Sequence, residues 1–515
     1  MSPPWVSVDR AGLTPDRPGA GWSRRPRAGG ARNGGSGRTR NHAWRSGLLN
    51  PARALAIAFG LAIAGGTVLL ALPIATADGR GLGLIDAFFT ATSATCVTGL
   101  TVINIGATLT TFGELVVLTL IQIGGLGVMT VTTIFAFALR RRISLRDSLT
   151  VGEALGESHL SAVGSLTRSV IEVTMAVEFA GALLLGLLFC RFYPPGTAFY
   201  YGLFHSVSAF CNAGFDLFGD SLVRFVTDVP VNLVMMTLIV LGGLGFIVMS
   251  EFLATRYGRM FSRRPRDRED ADGVVEHTAA PAAARRFLPA RLSLHTRVVV
   301  TTTVVLIGVG TLLVLAFEWS NPVTLGPLSP GHKVMAALFQ AITPRTAGFN
   351  TIPTGGLLRP VLLILMVLMF IGAAPGSTGG GVKVTTFAVA LASVRSALRR
   401  RDDVELGGRR LPPEVPAKAW VIIALAVVSI LVVMTLLLAT EKEPFLDVAF
   451  ETFSAFGTVG LSTGLTPRLS TIGRVVLPVL MYAGRLGPLT LAVALARRKP
   501  GGADWRLPEE RVVVG

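Results

Sequence analysis

The sequence predicts an all-α polytopic membrane protein, built as four helix, pore loop, helix repeats with pseudo-fourfold symmetry. Three observations carry that expectation. Of the 515 residues 51% are hydrophobic and only 15% charged, and the mean hydropathy of +0.59 excludes an ordinary soluble enzyme. Apolar runs of about 20 residues, enough to cross a bilayer, recur along the chain. Shorter apolar segments lie in alternate links between them, and four of these share one sequence pattern.

Residues 1–52 hold Arg24, Arg25, Arg27, Arg32, Arg38 and Arg40 among Gly, Pro and Ser. That composition cannot bury a core and reads as a disordered basic cytoplasmic tail. The run starting near Ala54 is too long and too late for a signal peptide, so it opens the membrane domain. Spanning helices are expected at 53–73, 112–140, 165–191, 230–256, 292–318, 359–395, 417–440 and 471–497, about eight in all. They group into pore repeats at 53–140, 141–257, 292–398 and 417–498. A basic insert (258–291), a linker (399–416) and a C-terminal tail (499–515) complete the chain. Arginine clusters such as Arg140 to Arg142 and Arg399 to Arg401 fall in alternate links, which puts both termini in the cytoplasm of a plasma-membrane protein. The net charge of +17 therefore reports orientation, and no nucleic-acid partner is expected. Cys96, Cys190 and Cys211 have no paired spacing, and the six histidines form no ligand cluster.

The four short segments end in Val97-Thr98-Gly99-Leu100, Asn212-Ala213-Gly214-Phe215, Thr346-Ala347-Gly348-Phe349 and Thr458-Val459-Gly460-Leu461. Each is too short to span and reads as a re-entrant pore helix. Non-helical backbone at membrane depth is tolerated only where protein buries it or a watery cavity receives it, so four in one chain point to a pore. The fourth copy is close to the TVGYG of potassium channels, in which backbone carbonyls replace the hydration shell of the ion. The candidate ion-binding residues are Val97, Thr98 and Gly99; Asn212, Ala213 and Gly214; Thr346, Ala347 and Gly348; and Thr458, Val459 and Gly460. No metal is expected beyond potassium at these carbonyls, and no cofactor on this chain. The second glycine of TVGYG is replaced by Thr101, Asp216, Asn350 and Ser462, so the filter is expected to prefer potassium with weaker exclusion of sodium than a channel has.

These motifs, within a stretch from about Ala54 to Arg498, resemble the Trk/Ktr/HKT superfamily of potassium transporters, most closely its Ktr-type membrane subunit. The resemblance implies potassium uptake through a single-chain pore, a homodimer, and a cytosolic regulatory ring that binds nucleotide, so that ATP or ADP would act only through that partner. Relatives with serine at the first filter glycine tend to pass sodium, and Gly99 places this chain on the potassium side. The arginine-rich tail and the insert depart from the Ktr pattern.

The third repeat carries Gly372-Ala373-Ala374-Pro375-Gly376-Ser377-Thr378-Gly379-Gly380-Gly381-Val382-Lys383, which cannot stay helical. A polar loop at 372–383, midway through the membrane, is where a gate would act. Gly376, Ser377, Thr378, Gly379, Gly380, Gly381 and Lys383 are its candidate residues, and the family carries such a loop in its third repeat. The stretch is not a Walker motif, because Val382 intervenes before Lys383 and no strand precedes it. Arg485, inside the last apolar run, is the remaining gate candidate. Two readings are open: the positive barrier in the ion path that the resemblance implies, or a pairing with a helix-end carbonyl. The glycines at 124, 125, 127, 242, 243, 245, 484 and 487 read mainly as close helix packing. Glu451 either biases the field at the filter or braces it, and Asn212 and Asp216 have the same two options. A sodium-coupled potassium symporter or sodium-permeable relative is the rival within transport. An intramembrane enzyme would need carboxylate pairs, a Ser-His arrangement or metal spacing that the sequence lacks.

Overall fold

The computed structural model describes residues 51–141, 155–252 and 292–487. The basic tail apart from its last residues, the insert at 258–291, the C-terminal tail and the end of the last expected span lie outside the described residues.

Each repeat is a helix, a short helix, a loop and a second helix. The first comprises α1 (Pro51–Leu70), α2 (Leu84–Thr95) and α3 (Thr111–Arg141). The second comprises α4 (Leu155–Phe189), α5 (Pro195–Phe210) and α6 (Val229–Leu244), with α7 (Phe246–Phe252) continuing beyond a bend of 103°. The third has α8 (Leu294–Glu318), α9 (Pro330–Ile342), α10 (Arg359–Phe370) and α11 (Val384–Leu398), and the fourth α12 (Glu414–Thr440), α13 (Phe445–Gly457) and α14 (Thr471–Leu486). Local chemistry sets the starts. Asp228, Ser293 and Ser470 accept hydrogen bonds from backbone N–H groups of the first turns of α6, α8 and α14. Proline occupies the first turn of α5, α9 and α10, where its missing N–H costs nothing.

By length and composition four described helices can cross a membrane, or five if the bent α6–α7 pair counts as one span. The run expected as one span at 230–256 is thus two helices. Gly245 adopts φ +83°, outside helical geometry, and Gly487 ends α14 with the same φ. These two glycines terminate helices, whereas Gly124, Gly242 and Gly484 do serve close packing. A Cβ on them would fall within 3.0 Å of the Thr95, Phe210 and Phe456 carbonyl oxygens at the ends of α2, α5 and α13. The most apolar span, in α12, has a mean hydropathy of 3.2 and is only 17% buried, which suits a helix facing lipid. The short helices are the opposite case. Residues Phe89 to Thr95 of α2 and Phe204 to Phe210 of α5 are all buried.

Consecutive repeats touch, and the last returns to the first. Gln122 donates to Glu178 (2.9 Å) and Tyr200 to Glu114 (2.5 Å) between the first two. Leu222 N–H donates to the Asn350 carbonyl (3.0 Å) between the second and third. Arg474 pairs with Asp86 at 2.7 Å, and the Tyr482 hydroxyl donates to the Ala56 carbonyl (2.6 Å), closing the fourth onto the first.

Candidate functional site

Where the four short helices end, the chain follows one path four times. Val97, Asn212, Thr346 and Thr458 adopt positive φ of 55°, 60°, 73° and 51°, and two residues on Gly99, Gly214, Gly348 and Gly460 do so again at 91°, 72°, 77° and 93°. The intervening Thr98, Ala213, Ala347 and Val459 keep ordinary φ. Alternating the sign of φ turns successive carbonyls toward the same side, the arrangement of an ion filter. It is costly, since a non-glycine residue in the left-handed region loses about 1–2 kcal/mol.

The glycines close into a ring in chain order. A Cβ on Gly99 would come within 3.0 Å of the Ala213 carbonyl oxygen. The same holds for Gly214 against the Ala347 oxygen, Gly348 against Val459, and Gly460 against Thr98. Each glycine thus faces the carbonyl that precedes the glycine of the next loop, and only a hydrogen fits between.

Hydroxyls in or just past the last turns of the short helices hold this backbone. Ser93 and Ser454 each accept from the ring glycine six residues on, Gly99 and Gly460, at 3.1 Å. Ser208 and Thr343 instead donate to the carbonyls of Phe215 (2.8 Å) and Phe349 (2.5 Å). Glu451 accepts from Ser462, just past Gly460, and from Thr466 at 2.8 Å. It therefore braces the fourth loop. Glu451→Ala is expected to lower stability by about 2 kcal/mol, since two buried hydroxyls lose a common acceptor; thermal unfolding in detergent measures this. Asp216 likewise accepts from the Phe218 and Gly219 N–H groups, and the Asn212 amide lies beside the Ala209 and Ile239 carbonyls, to which its nitrogen donates when the amide is assigned by its surroundings (2.9 and 3.1 Å). Cys211 is buried behind the ring, within hydrogen-bond reach of Glu178.

Residues 371–383 separate α10 from α11 and pack against the ring. A Cβ on Gly379 or Gly380 would collide with the hydroxyl of Thr346 or Thr458. The loop closes on itself by Gly372 N–H to the Val382 carbonyl (2.8 Å); it is tied back to α10 by Val382 N–H to the Phe370 carbonyl (3.2 Å), and to the second repeat by Ala374 N–H to the Gly243 carbonyl (3.0 Å). Phe246 N–H in turn donates to the Gly376 carbonyl (3.1 Å), at the break that makes α7 a separate helix. Ser377 donates to the Ala374 carbonyl at 2.5 Å, Thr378 to the Phe210 carbonyl at 3.2 Å, and Lys383 to the Gly379 carbonyl. Gly376 and Gly381 take positive φ (74° and 64°) at the turns. Arg485, 3% exposed, donates to the Thr378 carbonyl of this loop and to the Gly124 carbonyl of α3 (2.8 Å). It therefore ties the third, fourth and first repeats together.

The filter and gate candidates read from the sequence lie together here, at the ends of the four short helices, in the 371–383 loop and at Arg485. Two features were missed. Arg345, beside Thr346 and 5% exposed, leaves Nε and one terminal nitrogen without a partner; its signal was the departure from Cys96, Cys211 and Gly457 at the matching positions of the other copies. The positive φ of Val97, Thr346 and Thr458 left no trace, because β-branched residues ordinarily avoid that region.

Four helical repeats around one ring of glycine backbone are the architecture of a membrane transport protein. The chain belongs to the TrkH family of cation transport proteins, whose family model matches residues 58–507. It is 39% identical over 468 residues to Ktr system potassium uptake protein B of Bacillus subtilis, covering 90% of this chain and 97% of that protein. It is also 34% identical to the potassium/sodium uptake protein NtpJ of Enterococcus hirae, covering 91% and 98%. The crystal structure of the potassium transporter TrkH from Vibrio parahaemolyticus superposes with a TM-score of 0.64 at 21% identity, over 87% of this chain and 85% of that one, a likeness of fold. The chain is a membrane cation transporter and not an enzyme.

Proposed function

We propose that this chain is the pore subunit of a potassium uptake system in the cell membrane. The observation that carries the reading is the closed ring of Gly99, Gly214, Gly348 and Gly460, each loop alternating the sign of φ. Potassium enters from outside and sheds water onto the carbonyls of the three residues in each loop. It then passes the loop 371–383 and Arg485 once these part. An inside-negative potential favours entry by about 2.3 kcal/mol per charge per 100 mV. In this reading the four short helices are re-entrant pore helices, about eight helices span the bilayer, and both termini are cytoplasmic. The names of the Ktr relatives, each protein B of a Ktr system, support a separate partner subunit, which we place in the cytosol. We assign nucleotide control to that subunit and expect the pore chain to work as a homodimer.

A second reading, joint potassium and sodium transport, is favoured by the name of the E. hirae relative and by Thr101, Asp216, Asn350 and Ser462 where a regular filter has its second glycine. Rubidium-86 uptake into proteoliposomes at an inside-negative potential tests both. Potassium is expected to compete and sodium to compete weakly, with Gly99→Ser letting sodium permeate. Sodium flux in the wild type equal to that of rubidium would replace the first reading by the second.

A further inference from the structure

Between the N-terminal half of α8 and the arginine-rich C-terminal end of α11 lies a cavity of about 490 Å³ with two chemically different halves. One is apolar and lined by Val305, Leu306, Phe387 and Leu391. Val305 and Leu391 are 54% and 59% exposed there. The other half is basic. Arg395 lies in the last turn of α11 and Arg399 caps it four residues on, and both line the cavity. Among the described residues neither guanidinium has an ion-pair or hydrogen-bond partner. Their neighbours differ: Arg401 pairs with Glu405 (2.9 Å) and Arg410 with Asp403 (2.8 Å).

The floor is a hairpin in which Glu405 pairs with Arg410 and Leu406 with Arg409, turned by Gly407 and Gly408 at φ 59° and 75°. It is fastened to α11, because Ser396 donates to the Asp403 carbonyl at 2.5 Å, and it rests against the start of α8, where Leu294 meets Gly407. The cavity is therefore built into the fold.

We propose that this cavity binds an anionic phospholipid, its phosphate held by Arg395 and Arg399 and an acyl chain lying along Val305, Leu306, Phe387 and Leu391. Charge and polarity run in the same order on both partners: apolar toward the bilayer, then two unneutralised arginines at the level where headgroups lie. Guanidinium groups grip phosphate through paired N–H donors, and basic pockets between helices at that depth hold acidic headgroups. A soluble anion would use the arginines and leave the apolar half wet. The assignment needs only that the chain sits in a bilayer, so it stands apart from the ion that is carried.

Native mass spectrometry of the purified full-length protein, titrated with phosphatidylglycerol or phosphatidylcholine, provides the test. Phosphatidylglycerol is expected to be retained the more strongly by the wild type, a comparison that needs no variant. The double variant Arg395→Gln, Arg399→Gln should weaken its retention by about fivefold per arginine, while Arg395→Lys, Arg399→Lys keeps most of it. Equal retention of both lipids by the wild type would overturn the proposal. Undiminished phosphatidylglycerol retention in the Gln pair would do so too, as would glycerol phosphate, which has no acyl chains, binding as tightly as the lipid.

Discussion

Gly348→Ala is expected to cut rubidium uptake by about a hundredfold while leaving the protein folded. Two costs coincide at this residue. Its φ of +77° is one that an L side chain resists, and its new methyl group would collide with the Val459 carbonyl and the Gly214 Cα. Strained backbone of this kind costs about 1–3 kcal/mol, and the collision moves the carbonyls that an ion would touch. The neighbouring loops have little room to give, because each glycine of the ring has its own close carbonyl neighbour in the next copy. Gly308→Ala is the matched control. It lies inside α8 with nothing within 4 Å of an added Cβ, and alanine in a helix is favoured over glycine by about 1 kcal/mol. Normal uptake in both variants would mean that ions do not pass through the glycine ring.

The ring shows how far the sequence could be read. Four copies of small residue, Gly, apolar residue were visible by self-alignment, and glycine is the residue a crowded, left-handed backbone requires, so Gly99, Gly214, Gly348 and Gly460 could be found without coordinates. Pro375 with its flanking glycines likewise announced a helix break between α10 and α11. Gly245 and Gly487 could not be told from Gly242 and Gly484 in the same way. All four sit in apolar runs, and only their neighbours decide whether the missing side chain admits a carbonyl or allows a turn. The bracing role of Glu451 was undecided for a related reason: Ser462 and Thr466 reach it across the fold of the loop, a relation that sequence spacing does not specify.

Arg485→Ala is expected to raise rubidium flux in proteoliposomes that contain the pore chain alone by at least about tenfold. The guanidinium group bonds the Thr378 carbonyl of the loop and the Gly124 carbonyl of α3. Hydrogen bonds to a charged group contribute about 1.5–3 kcal/mol each, and losing even one shifts the balance between a docked and a displaced loop by about a factor of ten or more. Were the guanidinium a positive barrier in the ion path, removing its charge would act in the same direction, so alanine alone does not separate a tether from an electrostatic barrier. Arg485→Lys does. Lysine keeps the positive charge but replaces the planar fork by a single ammonium, which cannot reproduce both bonds in the same geometry. A tether therefore gives a lysine variant with flux between those of wild type and alanine, whereas a pure barrier leaves it as slow as wild type. If all three proteins conduct alike, the loop at 371–383 is held by its remaining ties to Gly242, Gly243 and Phe246, and the gate must be sought in the second repeat, where α6 breaks at Gly245.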